Sequence, residues 1–277
     1  MVDVVAVHGI WMNRSLRTDM HEKWLGAMID GLCNIRSSHS DSLTLECVFY
    51  GHEYNDGKSE DSGSEYTAVD LECGLETDLV EAIAAGLLES AEGNDDEHEG
   101  KLYLPGALQK ALATIQRTPL FEGIDSAVIS FVKQVRRYLD DTDFRARVHD
   151  EVETAMAQSP RLVIGHSLGS VIAYDWLVHN QVDSPPAMLT IGSPLGLESI
   201  RSRLDQPLDR SRWPGEVTTW TNVAAGHDAV AMVKELAPLY HPDIDDQPCA
   251  NPRKSAHSAL SYLTNVRTAR AIDKALG

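Results

Sequence analysis

Apolar runs that end at glycine alternate along the chain with segments whose apolar residues recur at helical spacing. Val2 to Val7 is a Val-rich run that stops at His8-Gly9-Ile10-Trp11, the pattern of a buried parallel strand entering a loop. Residues 21 to 35 carry Trp24, Leu25, Met28, Ile29, Leu32 and Ile35 on one helical face. Leu43 to Tyr50 reads as a second strand, with Leu43, Leu45, Cys47 and Phe49 on one side, ending at Gly51-His52. Glu53 to Glu65 has the Gly/Ser/Asp/Glu composition of a loop. Leu75, Leu79, Ile83 and Leu87 then mark a helix whose acids gather at its start, where they suit the helix dipole.

A second polar stretch, Glu92 to Gly100, precedes two expected helices. One is Leu120 to Leu139, with Phe121, Ile124, Val128, Phe131, Val132, Val135 and Leu139 inward; the other is Phe144 to Gln158, stopped by Ser159-Pro160. Leu162 to Ile164 is a third short apolar run. Pro185-Pro186 precedes a strand over Ala187 to Ile191, and Val217 to Val223 reads as another. Residues 229 to 254 carry no clear strand pattern, and Ser255-Ala256-His257-Ser258 opens a single closing helix through Leu260, Leu263, Val266, Ile272 and Leu276. Strands alternating with helices predict an α/β protein with a mostly parallel sheet flanked by helices.

Candidate chemistry enters at Gly165-His166-Ser167-Leu168-Gly169, between the third apolar run and the helix-compatible stretch Ser170 to Leu177. Strand, sharp turn and helix present one serine on a strained turn, and the two glycines remove β-carbons that would collide as strand and helix close together. The flanks give the pentapeptide its weight.

Composition narrows the setting. The 277 residues are 43% hydrophobic and suffice for one domain, residues 1 to 277. No basic leader precedes Val2 and no stretch reaches the ~20 apolar residues of a membrane span. Cys33, Cys47, Cys73 and Cys249 form no C-x-x-C pair and read as reduced thiols, so a cytoplasmic location without a bound metal is expected. The net charge of −18 is concentrated: Glu53 to Gly100 holds 16 acids against one base, Lys58. That surface argues against nucleic acid as a partner.

H-G-I-W after the first strand, G-H-S-L-G after a middle strand, an aspartate after W-T-N-V and a histidine heading the last helix together resemble an α/β-hydrolase, nearest its lipase and esterase branch. The likeness covers about residues 2 to 50 and 160 to 277. It implies Ser167 as nucleophile, His257 as general base, Asp228 as orienting acid and the backbone N–H groups of Ile10 and Leu168 as oxyanion hole. His257 is preferred over His179, His227 and His241 because it follows the acid and sits at a helix mouth. Asp228 is preferred over Asp243, Asp245 and Asp246 because it follows a strand closely. The chemistry needs these types: a serine hydroxyl attacks well only when a neutral imidazole takes its proton, and a carboxylate holds that imidazole in the right tautomer.

The leading pair of antiparallel strands usual in that family is missing, which implies a sheet reduced at the N-terminus. Residues 53 to 158 form a helical, acidic insertion, expected either to cap the catalytic edge, with mobile loops near Glu53 and Glu92, or to pack as ordinary crossover helices. Trp11, Ser193, Phe121, Ile124 and Val128 are the expected substrate-lining residues. The expected function is a serine hydrolase acting on a small-molecule or lipid-like ester, with no cofactor. An acyltransferase or serine peptidase with the same triad, or a non-catalytic binding protein of this fold, are the alternatives.

Overall fold

The computed structural model describes residues 2–9, 17–54, 71–92, 124–204 and 212–277. The chain is an α/β protein with six strands, β1 (Val4–Val7), β2 (Leu45–Val48), β3 (Leu162–His166), β4 (Ala187–Ile191), β5 (Trp220–Ala225) and β6 (Asp245–Cys249). They form one sheet in the order β2-β1-β3-β4-β5-β6, and every neighbouring pair is parallel. The helices are α1 (Arg17–Asn34), α2 (Leu75–Glu92), α3 (Ile124–Asp140), α4 (Thr142–Met156), α5 (Leu168–His179), α6 (Glu198–Arg201), α7 (Ala259–Leu263) and α8 (Val266–Leu276).

Alternation along the central strands explains why both faces are covered. Val5 and Val7 of β1, Val163 of β3, Met188 of β4 and Trp220 of β5 point into one apolar core, shared with α2 to α5. Val4, Ala6, Leu162, Ile164, Leu189 and Val223 point into the other, closed by α1, α7 and α8. Side chains of period 2 with both faces buried are the requirement of a parallel sheet between helical layers. The expected apolar face of β2 holds: Leu43, Leu45 and Cys47 are buried in the second core, and Phe49 packs against it.

Several boundaries differ from expectation for identifiable reasons. The run 217 to 223 becomes a strand only at Trp220 and extends to Ala225. The closing helix is two: Asn265 breaks the pattern by capping α8, its side chain accepting from the Arg267 N–H. Likewise α4 starts at Thr142 because the Asp141 carboxylate accepts the Phe144 N–H. The unexpected strand is β6, Asp-Asp-Gln-Pro-Cys. It is an edge strand, where a proline is tolerated. Asp246, passed over as the orienting acid, accepts from the Leu236 and Ala237 N–H groups and from Asn222 Nδ2.

Within the 53 to 158 segment, α4 packs on β1, β2 and α5, and α3 packs on α2 and α4. Val128 is buried in the first core. Phe121, Trp11 and the segments 55 to 70 and 93 to 123, with the loops expected to be mobile, lie outside the described residues, as does the Ile124 side chain. Asp175 of α5 locks this layer: it is fully buried and accepts hydrogen bonds from the Arg145 guanidinium through both oxygens and from Tyr138 Oη at 2.5 Å, with His149 Nε2 at 3.0 Å.

Candidate active site

The sheet reverses its winding between β1 and β3, and in open parallel sheets the crevice beyond the strand ends at such a point receives ligands. Gly9 follows β1 there, and Ser167 follows β3. Ser167 stands between β3 and α5 with φ 54° and ψ −128°, outside the regions an L-residue prefers. A β-carbon on Gly165 would lie 2.4 Å from Ser170 Cα, and one on Gly169 would lie 2.1 Å from the Val7 carbonyl oxygen. Both glycines are therefore required by close approach, as the sequence pattern implies.

Hydrogen bonds fix the turn. The Ser167 N–H donates to the Ile191 carbonyl at 3.2 Å. Ser170 Oγ donates to the Ser167 carbonyl at 2.6 Å and so accepts from Ser193 Oγ, 2.7 Å away. Ser193 Oγ also accepts from the Leu195 N–H. Ser193, expected to line substrate, is buried and braces the turn against the loop after β4.

Three chain-distant side chains meet at this point. His257 Nε2 lies 2.9 Å from Ser167 Oγ, and His257 Nδ1 lies 2.9 Å from Asp228 Oδ2. Asp228 follows β5 and is buried. Its Oδ1 accepts from the Val230 and Ala231 N–H groups, and its Oδ2 accepts also from Tyr262 Oη at 2.7 Å. Burial alone would raise its carboxyl, but the neighbouring His257, the hydrogen bonds from His257 and Tyr262 and the Val230 N–H hold it down at about 2. Asp228 is thus an ionised acceptor, which fixes the His257 tautomer with Nδ1 protonated and Nε2 free to accept from Ser167.

His257 sits in the loop between a 3-10 turn, Arg253–Ser255, and α7. Two contacts hold that loop: His166 Nε2 donates to the His257 carbonyl at 2.9 Å, and Asn251 Nδ2 donates to the Ala256 carbonyl at 3.0 Å. Burial, with His257 alongside, depresses His166 to about 3, so it is a neutral donor. Gly192, at φ 57°, leaves room for the cluster, since a β-carbon there would approach Tyr262, Asp228 and His257 to 2.9, 3.0 and 3.3 Å.

The other histidines and acids stay apart. His227 is exposed, His241 meets Asp243, and His179 Nδ1 meets the Asp175 carbonyl. Of the two N–H groups expected to bind an oxyanion, that of Leu168 heads α5, where first-turn donors have no intrahelical partner. Ile10 lies outside the described residues, although its neighbour Gly9 is packed directly against Ser167. His8 stacks on Tyr50 and accepts the Tyr50 N–H on Nε2, so its Nδ1 donates to the Gly9 carbonyl. Burial lowers His8 to about 4. His166 is the packing and hydrogen-bonding residue, not a catalyst, that its place within the serine turn leads one to expect, whereas Tyr262 was not foreseen. Tyr262 carries no sequence signal, because its link to Asp228 spans 34 residues.

No family model matches the chain, and no curated protein or solved structure matches it.

Proposed function

We propose that this protein is a serine hydrolase of the α/β-hydrolase type, with a sheet of six strands where that fold typically has eight, cleaving a carboxylic ester or related acyl bond through an acyl-enzyme. The observation that carries the reading is His257 bridging Ser167 and Asp228 at 2.9 Å on each side. Ser167 Oγ attacks the acyl carbon as His257 Nε2 takes its proton, and Asp228 stabilises the imidazolium without itself taking the proton. His257 then protonates the leaving oxygen, and a water activated the same way releases the acid. The Leu168 and Ile10 N–H groups stabilise the tetrahedral oxyanion, a contribution of about 10² to 10³ in rate per donor.

The four free thiols support a reducing, cytoplasmic setting. No helix among the described residues is long and apolar enough to cross a membrane.

The test is covalent labelling with a fluorophosphonate, read by intact mass. Wild-type protein takes one adduct, located on Ser167, and Ser167→Ala takes none. Folded wild-type protein that stays unlabelled overturns the reading.

A further inference from the structure

We infer that Tyr262 is a positioning residue of this site, its hydroxyl donating to the same Asp228 oxygen that receives His257 Nδ1–H and thereby setting how strongly the carboxylate holds the imidazole. The inference rests on the hydrolase reading above and adds a residue to it.

The direction of the hydrogen bonds follows from counting donors. Tyr262 is fully buried, and its hydroxyl has two partners, the Ala225 N–H at 2.8 Å and Asp228 Oδ2 at 2.7 Å. The backbone N–H can only donate, so the single phenolic proton goes to the carboxylate. Burial and the adjacent Asp228 charge push the phenol far above its ordinary value, so it remains a donor throughout the working pH range.

Oδ1 is meanwhile occupied by two backbone N–H groups. The carboxylate therefore cannot rotate away, and the hydroxyl and the imidazole share Oδ2. A charge-assisted donor on that oxygen withdraws negative charge from the imidazole while fixing the plane in which Nδ1–H must lie. Among the described residues, the other groups facing the pair make different contacts. Ser167 meets the opposite ring nitrogen, His166 is neutral, and the Lys234 ammonium donates to the Asp228 backbone carbonyl at 2.7 Å. The Cys249 thiol, raised to about 11 mainly by burial, is uncharged.

The experiment is Tyr262→Phe, which keeps the buried ring, with Tm measured to confirm folding. Fluorophosphonate labelling rates are followed against pH in wild type, Tyr262→Phe, Asp228→Asn and the double variant. With the hydroxyl gone, Asp228 holds a protonated His257 more tightly, so the acid limb moves up by about half to one pH unit, the size expected for one ordinary intramolecular hydrogen bond. The plateau rate falls about tenfold, and in the Asp228→Asn background the substitution changes labelling less than about twofold. An unmoved limb, or the same loss in both backgrounds, overturns the inference and leaves Tyr262 as packing for Ala225. A wild type that does not label overturns the hydrolase reading instead. The His257 ring titration by NMR then still decides Tyr262, with an unshifted titration in Tyr262→Phe counting against it.

Discussion

Gly9 and Ser167 touch across neighbouring strand ends: a β-carbon on Gly9 would stand 2.7 Å from Ser167 Cβ and 3.1 Å from His166 Nδ1. Gly9, where the loop after β1 begins, is thus seated against the serine turn with no side chain between them. Gly9→Ala should push the two apart, cost about 1 to 3 kcal/mol as overpacking does, and slow Ser167 labelling by about tenfold or more. Denaturant unfolding and labelling kinetics measure the two effects. Wild-type labelling would mean that the loop does not set the geometry around Ser167.

Ser167 also holds a backbone conformation that glycine adopts freely. Ser167→Gly should therefore abolish labelling without lowering stability, and should raise it by about 1 kcal/mol if the strain is relieved in full. A drop in Tm would show that the side chain contributes more to packing than the turn costs.

Acid should unfold the protein in two stages. Unfolded histidine takes a proton below its ordinary 6.5, whereas His8 and His166 resist down to about 4 and about 3. Between those limits the unfolded state binds more protons, so stability falls as pH falls, by about 3 kcal/mol from His8 alone. Asp175 and Asp228 act lower. Their carboxyls stay ionised to about 2, so the stability they contribute is lost only as pH drops from about 3.8 through about 2. His8→Asn should flatten the upper stage, seen as a smaller change in denaturant midpoint between pH 7 and pH 5. An equal slope in that variant would assign the upper stage to other groups.

The Asp175 cluster should be structural. Arg145→Met leaves a buried carboxylate short of its main partner and should cost about 3 to 5 kcal/mol. Labelling of the fraction that remains folded should keep its wild-type rate. A changed rate with intact folding would connect the α3–α4 layer to the catalytic edge.

The serine turn was legible because its steric demands show in the local pattern: two glycines flank a serine between a strand run and a helix run, and the close approaches at Gly165 and Gly169 are the collisions that pattern avoids. Asp228 and His257 were found by order along the chain, each just beyond a recognisable apolar element. β6 was illegible because an edge strand needs no apolar face, and its acids and proline read as loop. The division between α7 and α8 was written in Asn265, a capping residue masked by apolar positions that continue across it. Tyr262 could not be read at all, since a tyrosine one turn into a short helix looks like packing until Asp228 is placed beside it.

Ser167 and His257 lie 90 residues apart and Asp228 and His257 lie 29 apart, with β4, β5 and β6 between the first and last. The serine turn is held by its neighbours β1 and β4, whereas the base comes from beyond β6, at the far edge of the sheet. Non-local closures of this kind are the slow steps of folding. In a refolding time course, helical signal should return before Ser167 becomes reactive, and the lag would time the arrival of the last sixth of the chain.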